Sequence, residues 1–107
     1  MNKLSVLEFK ALCNSNKLTH FVFSLPDQNS QNDNPVSCFM RFTKMNAFPC
    51  PDTIYFTSEN NGAFLSFSNV SFVEFNPSET GIANTAVIVC KNNNDQEQRF
   101  TLLADRI

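Results

Sequence analysis

The chain has 107 residues, of which 42% are hydrophobic and 17% charged, and 8 Lys+Arg against 10 Asp+Glu give a formal net charge of -2. It is too apolar for a disordered protein, and it lacks the run of roughly 18 apolar residues that a membrane span needs. We therefore expect one domain over residues 1–107, without a membrane partner. The acidic balance and the few, scattered basic residues argue against a nucleic-acid partner.

The N-terminus and the cysteines indicate a cytoplasmic protein. Glu8 and Lys10 interrupt the first apolar residues, so the segment lacks the stretch of about 7 to 15 apolar residues found in a secretory signal. The four cysteines, none of which forms a C-x-x-C pair, are Cys13, Cys38, Cys50 and Cys90. Without export a disulfide framework is unexpected, so we expect reduced thiols in a cytoplasm. The many Asn and Phe residues, whose codons are AT-rich, favour the cytoplasm of a bacterial or phage-infected cell.

A helix is predicted over residues 5–15. Ser5 followed three positions later by Glu8 has the spacing of a capping box, in which each residue satisfies a backbone N–H of the other. An apolar stripe follows at helical spacing, made of Leu4, Leu7, Ala11 and Leu12 and widened by Val6, Phe9 and Cys13. The polar segment 14–16 ends the helix.

The rest of the chain is predicted to form short antiparallel strands. Alternating or β-rich runs place them at about 18–25, 36–43, 53–58, 63–68, 70–75, 83–91 and 97–104, with a flexible loop at 26–35. No further helix is available for the crossovers of a parallel sheet. We therefore expect an α+β fold, in which the N-terminal helix packs on a curved antiparallel sheet or half-open barrel of six to seven short strands.

The clearest predicted hairpin surrounds Asn61-Gly62, the preferred central pair of a type I′ turn. A two-residue turn at this position pairs Phe56 with Phe67. The apolar face then contains Ile54, Phe56, Leu65 and Phe67, and the opposite face contains Tyr55, Thr57, Ser66 and Ser68.

No constellation of catalytic or metal-binding residues stands out. The only histidine, His20, lies in a predicted strand, and the cysteines lack the close pairs that pre-form half of a zinc site. We therefore expect no catalytic residue, no cofactor and no metal. The alternative is a small thiol-dependent enzyme or factor that uses the loop thiol of Cys50 with His20.

Twelve phenylalanines are many for so small a domain, and some do not fit the predicted core. Phe39 lies on the side of its strand away from the apolar positions, next to Arg41. Phe64 projects from the polar face of the hairpin, and Met45 and Phe48 belong to a predicted apolar loop at 44–51. Exposed aromatic residues and arginine are the types that anchor protein interfaces, so these five residues are the candidate interface. Alternatively, the sheet closes far enough to bury both of its faces.

These observations together favour a non-enzymatic module that binds a partner protein and masks its surface. Small acidic α+β proteins rich in asparagine and without catalytic residues are common among accessory proteins of phages and mobile elements, including inhibitors such as anti-CRISPR proteins. This assignment rests on the type of protein and on no matched motif. A homo-oligomer whose phenylalanine-rich face pairs with itself is a further alternative.

Overall fold

The computed structural model describes residues 2–26, 37–58, 62–80 and 84–105. Over these residues the chain forms one helix, α1 (Val6–Ser15), and nine strands: β1 (Asn2–Leu4), β2 (His20–Pro26), β3 (Ser37–Phe42), β4 (Lys44–Phe48), β5 (Thr53–Thr57), β6 (Phe64–Phe67), β7 (Val70–Asn76), β8 (Asn84–Lys91) and β9 (Glu97–Asp105). The predicted α+β class is confirmed. The seven predicted strands correspond to β2, β3 and β5–β9, with ends that differ by at most two residues. The predicted flexible loop at 26–35 lies outside the described residues, except that Pro26 ends β2.

The strands form two antiparallel sheets. The larger sheet has the order β1-β7-β8-β9-β2-β3, and the smaller has the order β4-β5-β6. Only Thr43 separates β3 from β4, so the chain passes directly from the larger sheet into the smaller one. The helix α1 packs against β1, β4 and β7. The core therefore lies between the inner faces of the two sheets and the buried side of the helix.

The helix begins as predicted, with a complete capping box. Glu8 N donates to Ser5 Oγ at 3.1 Å, and Ser5 N donates to Glu8 Oε1 at 2.9 Å. The hydrogen bond from the Ser5 backbone N–H is the largest cause of the lowered pKa of the Glu8 carboxyl. The predicted apolar stripe is wrong for two of its residues, because Leu7 is 52% exposed and Ala11 is exposed. The side chains that the helix buries are those of Val6, Phe9 and Cys13.

The β5–β6 hairpin has the predicted faces but a different register. Phe56 pairs with Leu65 rather than with Phe67, which is a shift of two residues. Ser58 N donates to Ala63 O at 3.1 Å, so the pairing extends one residue beyond each strand. The predicted turn lies outside the described residues, except that Gly62 has a φ of 67°. Because side chains alternate with a period of two, a shift of two residues leaves each side chain on its predicted face.

The predicted loop at 44–51 is wrong over its first part, because Lys44–Phe48 is strand β4. Lys44 is the register partner of Thr57, yet Thr43 N also donates to Thr57 O, at 3.0 Å. Two residues therefore oppose one, which is a β-bulge. The bulge breaks the alternation between β3 and β4, so that Phe42 and Met45 both face the core. β1, of three residues, was also not predicted.

Phenylalanine rings fill the centre of the core. Phe23 is fully buried, and its ring centroid lies 5.9 Å from that of Phe42, 4.8 Å from that of Phe56 and 5.5 Å from that of Phe67. The rings of Phe23 and Phe56 meet edge to face, a favourable arrangement of the two ring quadrupoles. This cluster fixes the smaller sheet on the larger one, because Phe23 belongs to β2 whereas Phe56 and Phe67 belong to β5 and β6.

Candidate protein-interaction surface

Three aromatic rings form a continuous strip across the outer face of the smaller sheet. Phe48 of β4, Tyr55 of β5 and Phe64 of β6 contribute one ring each. The rings of Phe48 and Tyr55 are stacked with centroids 5.1 Å apart and an interplanar angle of 23°. Those of Tyr55 and Phe64 are stacked at 5.6 Å and 27°. We call these three residues the aromatic strip.

The sheet register explains why the three rings meet. Tyr55 lies directly opposite Asn46 on one side and Ser66 on the other. Phe48 is two residues beyond Asn46 along β4, and Phe64 is two residues before Ser66 along β6. Both rings are therefore diagonal neighbours of Tyr55 on the same face, at a separation that aromatic side chains can bridge. The strip consequently runs obliquely across all three strands.

The two end rings of the aromatic strip are exposed, and the central ring is partly buried. Phe48 is 52% exposed and Phe64 is 61% exposed, whereas Tyr55 is partly buried between them. The alternative, in which the sheet buries both of its faces, therefore does not hold for the smaller sheet. Exposed rings that are fixed by stacking offer large, rigid apolar area at low conformational cost, which is the property of residues that dominate interfaces.

Polar side chains surround the aromatic strip. The register places five further residues on the same face: Lys44, Asn46, Thr53, Thr57 and Ser66. Within the described strands of the smaller sheet, Lys44 is the one charged residue on this face. An apolar centre framed by polar and mostly neutral residues is typical of protein interfaces, where charge is depleted from the centre.

Of the five predicted interface residues, the structure brings Phe48 and Phe64 together through Tyr55. Met45 faces inward and packs against the core, so it does not belong to the exposed surface. Arg41 is exposed, but it lies on β3 of the larger sheet, opposite Val22. Phe39 also lies on β3, opposite Ser24, and its side chain is outside the described part of the structure.

Tyr55 is the member of the strip that is not among the predicted interface residues. The predicted hairpin places Tyr55 and Phe64 on one face, which is the available signal. The contact with Phe48 has no such signal, because the sequence predicts a loop at 44–51.

The described cysteines differ in burial: two are buried and one is exposed. Burial raises the pKa of the Cys13 thiol to about 12 and that of the Cys90 thiol to about 11, so both stay protonated at neutral pH. Cys50 is exposed in the turn after β4. His20 lies at the start of β2, where its Nδ1 is 3.2 Å from Thr19 Oγ1. The described hydrogen bonds therefore do not link Cys50 with His20.

One carboxylate is buried outside the aromatic strip. Glu74 on β7 is 7% exposed, and its Oε1 accepts a hydrogen bond from Arg99 Nη1 at 3.1 Å. Arg99 also contacts Glu97, at 2.9 Å. The hydrogen bond to Glu74 is the largest cause of the raised pKa of Arg99. The contact spans β8 and joins β7 to β9, so it explains the buried charge as a cross-strand ion pair of the larger sheet.

Comparisons with other proteins add no assignment. In the described ranges, no group of three or more His, Cys, Asp or Glu residues could hold a metal ion. Over the same ranges, no helix is both long enough and apolar enough to cross a membrane. The chain matches no protein-family model, no curated protein and no solved structure. The functional proposal below therefore rests on the geometry of the surface.

Proposed function

We propose that this domain is a non-enzymatic protein-binding module that docks a partner protein on the aromatic strip and masks part of that partner's surface. The observation that carries this proposal is the stacking of Phe48, Tyr55 and Phe64 on an outer face, with the two end rings more than half exposed. In water the exposed rings are unfavourable by roughly 25 cal/mol for each Å² of apolar surface. Covering them with a partner recovers this free energy.

Rigidity makes the aromatic strip suited to binding. Each end ring already rests against Tyr55, so binding freezes less side-chain motion than it would for isolated rings. The polar residues around the strip can form hydrogen bonds at the rim while the rings exclude water from the centre. Truncation of a ring at such a centre typically weakens binding by about 2 kcal/mol or more, or at least about thirtyfold.

The composition of the chain supports a particular type of protein. A small acidic protein, in which we expect reduced thiols and no catalytic residue, fits an accessory or inhibitor protein of a phage or mobile element, such as an anti-CRISPR protein. A protein of this kind acts by covering a functional surface of a host protein. Binding alone is then sufficient for activity.

The test is quantitative co-purification from the native host with matched variants. Phe48→Ser and Phe64→Ser should each reduce recovery of the partner by at least about tenfold, because each removes a ring from the centre of the interface. Leu103→Ser is the control, since Leu103 is 46% exposed but lies on β9 of the larger sheet. Cys50→Ser should also leave recovery unchanged, because the thiol takes no part in the docking.

Two results would count against the proposal. One is unchanged recovery with both phenylalanine variants when circular dichroism shows them folded. The other is an equal loss with Leu103→Ser, which would place the interface on the larger sheet or make it unspecific. Loss of recovery with Cys50→Ser alone would favour the thiol-dependent alternative.

A further inference from the structure

Strand β6 is an edge of the smaller sheet. Among the residues that the structure describes, it pairs only with β5. The hydrogen bond from Ser58 N to Ala63 O sets the alternation, so that Leu65 and Phe67 direct their backbone groups toward β5. The N–H and C=O groups of Phe64 and Ser66 consequently point away from β5. They form a short row of donors and acceptors at the edge of the sheet.

This open edge lines a groove beside the β8–β9 hairpin. The groove has a volume of about 330 Å³. Its apolar lining comes from Leu65, Phe67, Cys90 and Phe100, and Lys91 and Gln98 add polar groups. The rings of Phe67 and Phe100 are 4.9 Å apart and connect the two walls. At one end the walls are joined by a hydrogen bond from Lys91 N to Asn69 O, at 3.2 Å.

Within the described part of the chain, the edge of β6 lacks the features that normally prevent strand pairing. Proteins protect edge strands with charged residues, proline, shortness or a covering element. β1, at one edge of the larger sheet, has three residues and includes Lys3, and β4 is packed against α1. By contrast, residues 62–69 around β6 contain neither a charged residue nor a proline. An unprotected edge beside an apolar groove is suited to receiving another strand.

We propose that an extended segment of the partner protein adds to β6 as an antiparallel fourth strand of the smaller sheet. Its backbone would bond to Phe64 and Ser66, and alternate side chains, which must be apolar, would enter the groove. The other side chains would lie next to Phe64, so the segment would continue the surface of the aromatic strip. The segment belongs to the protein partner of the proposed function, on which this inference rests.

A second copy of this chain fits the groove less well than a free segment. In a second copy the inward side chain of Phe67 is already buried in its own core, at 7% exposure. The other inward side chain of β6, Leu65, also packs against that core, and the copy would bring its own β8–β9 hairpin against the first. An extended segment instead has free side chains on both faces.

The experiment is selection from a library of random eight-residue peptides, followed by binding measurements on the selected peptides by fluorescence anisotropy. We expect enrichment of sequences with apolar residues at every second position. Ser66→Pro, which removes an outward N–H at an edge position where proline is tolerated, should weaken binding at least about tenfold. Ser66→Ala is the matched control, because it removes the hydroxyl group and keeps the N–H.

Modified peptides test the same claim on the unaltered protein. Methylation of the peptide nitrogens that face β6 should abolish binding, and methylation of the alternate set should leave it intact. The proposal is overturned if no alternating sequence is enriched, or if both methylated sets bind equally. It is also overturned if light scattering shows a dimer of the free chain that Ser66→Pro dissociates, since the edge would then be occupied by a second copy.

The arms of the experiment separate this inference from the proposed function. Phe48 lies at the end of the aromatic strip that is far from β6. Phe48→Ser should therefore leave the affinity for the peptide within about twofold of that of the wild type. If Phe48→Ser abolishes recovery of the native partner but the library yields no enriched peptide, the result would support the aromatic strip and refute strand addition. If selected peptides bind but neither Phe48→Ser nor Phe64→Ser changes recovery of the partner, the result would refute the strip as the docking surface.

Discussion

The central ring of the aromatic strip should contribute more to stability than either end ring. Tyr55→Ala removes two stacked pairs, at centroid distances of 5.1 Å and 5.6 Å, whereas Phe48→Ala or Phe64→Ala removes one. An aromatic pair contributes about 0.5–1.5 kcal/mol beyond the area it buries. We therefore expect Tyr55→Ala to lower the free energy of unfolding by about 1–3 kcal/mol through lost stacking. Each end-ring variant should lose about half as much.

The magnitude is measurable because the domain is small. At about 0.05–0.15 kcal/mol per residue, a chain of this length has a total stability of about 5–15 kcal/mol. Urea denaturation followed by circular dichroism gives the change from the shift of the midpoint at constant slope. Tyr55→Phe is the matched control, since it keeps the ring and removes only the hydroxyl group, and it should cost much less than Tyr55→Ala.

Two outcomes would refute this account of the strip. One is a smaller loss of stability for Tyr55→Ala than for Phe64→Ala, which would mean that the rings do not stack in solution. The other is an equal loss for Tyr55→Phe and Tyr55→Ala, which would assign the contribution to the hydroxyl group. In either case the strip would not be the pre-formed surface that the proposed function requires.

Two further predictions concern the core and the thiols. Phe23→Ala should lower the free energy of unfolding by about 3–5 kcal/mol, because the ring is fully buried against three others; urea denaturation measures this, and a loss below about 1 kcal/mol would contradict the packing. In a brief reaction with iodoacetamide at pH 8, Cys50 should be modified and Cys13 should not, since Cys13 is buried and its raised pKa of about 12 leaves almost no thiolate. Peptide mass spectrometry measures both, and equal labelling before denaturation would contradict the described burial.

Local signals predicted the helix correctly, but not its buried side. The capping box depends on Ser5 and Glu8 alone, so it could be recognised without knowledge of the fold. The buried side depends on what the helix meets, which the sequence does not state. The buried side chains are Val6, Phe9 and Cys13, which are spaced three and four residues apart. Leu7 is exposed to solvent even though leucine is an apolar residue.

Strand β4 could not be predicted by counting alternate residues. The pattern of β3 places Phe42 toward the core, and continuing it would place Lys44 there as well. The bulge opposite Thr57 resets the pattern by one residue and turns Lys44 outward. Such a bulge is set by pairing with a strand later in the chain, so it leaves no short-range signal. The prolines at 49 and 51 further favoured the interpretation as a loop.

The candidate surface could be predicted from the sequence only where the strand pairing that creates it could be predicted. The exposure of Phe64 followed from the β5–β6 alternation, which survived a shift of two residues in register. Its contact with Tyr55 required the register itself, and the contact of Tyr55 with Phe48 required β4 to be a strand. The exposure of one ring thus depends on the alternation of one strand, whereas the aromatic strip depends on the pairing of three strands. Because its rings come from all three strands, a variant that disrupts the pairing of β4 with β5 should disperse the surface while leaving Phe64 exposed.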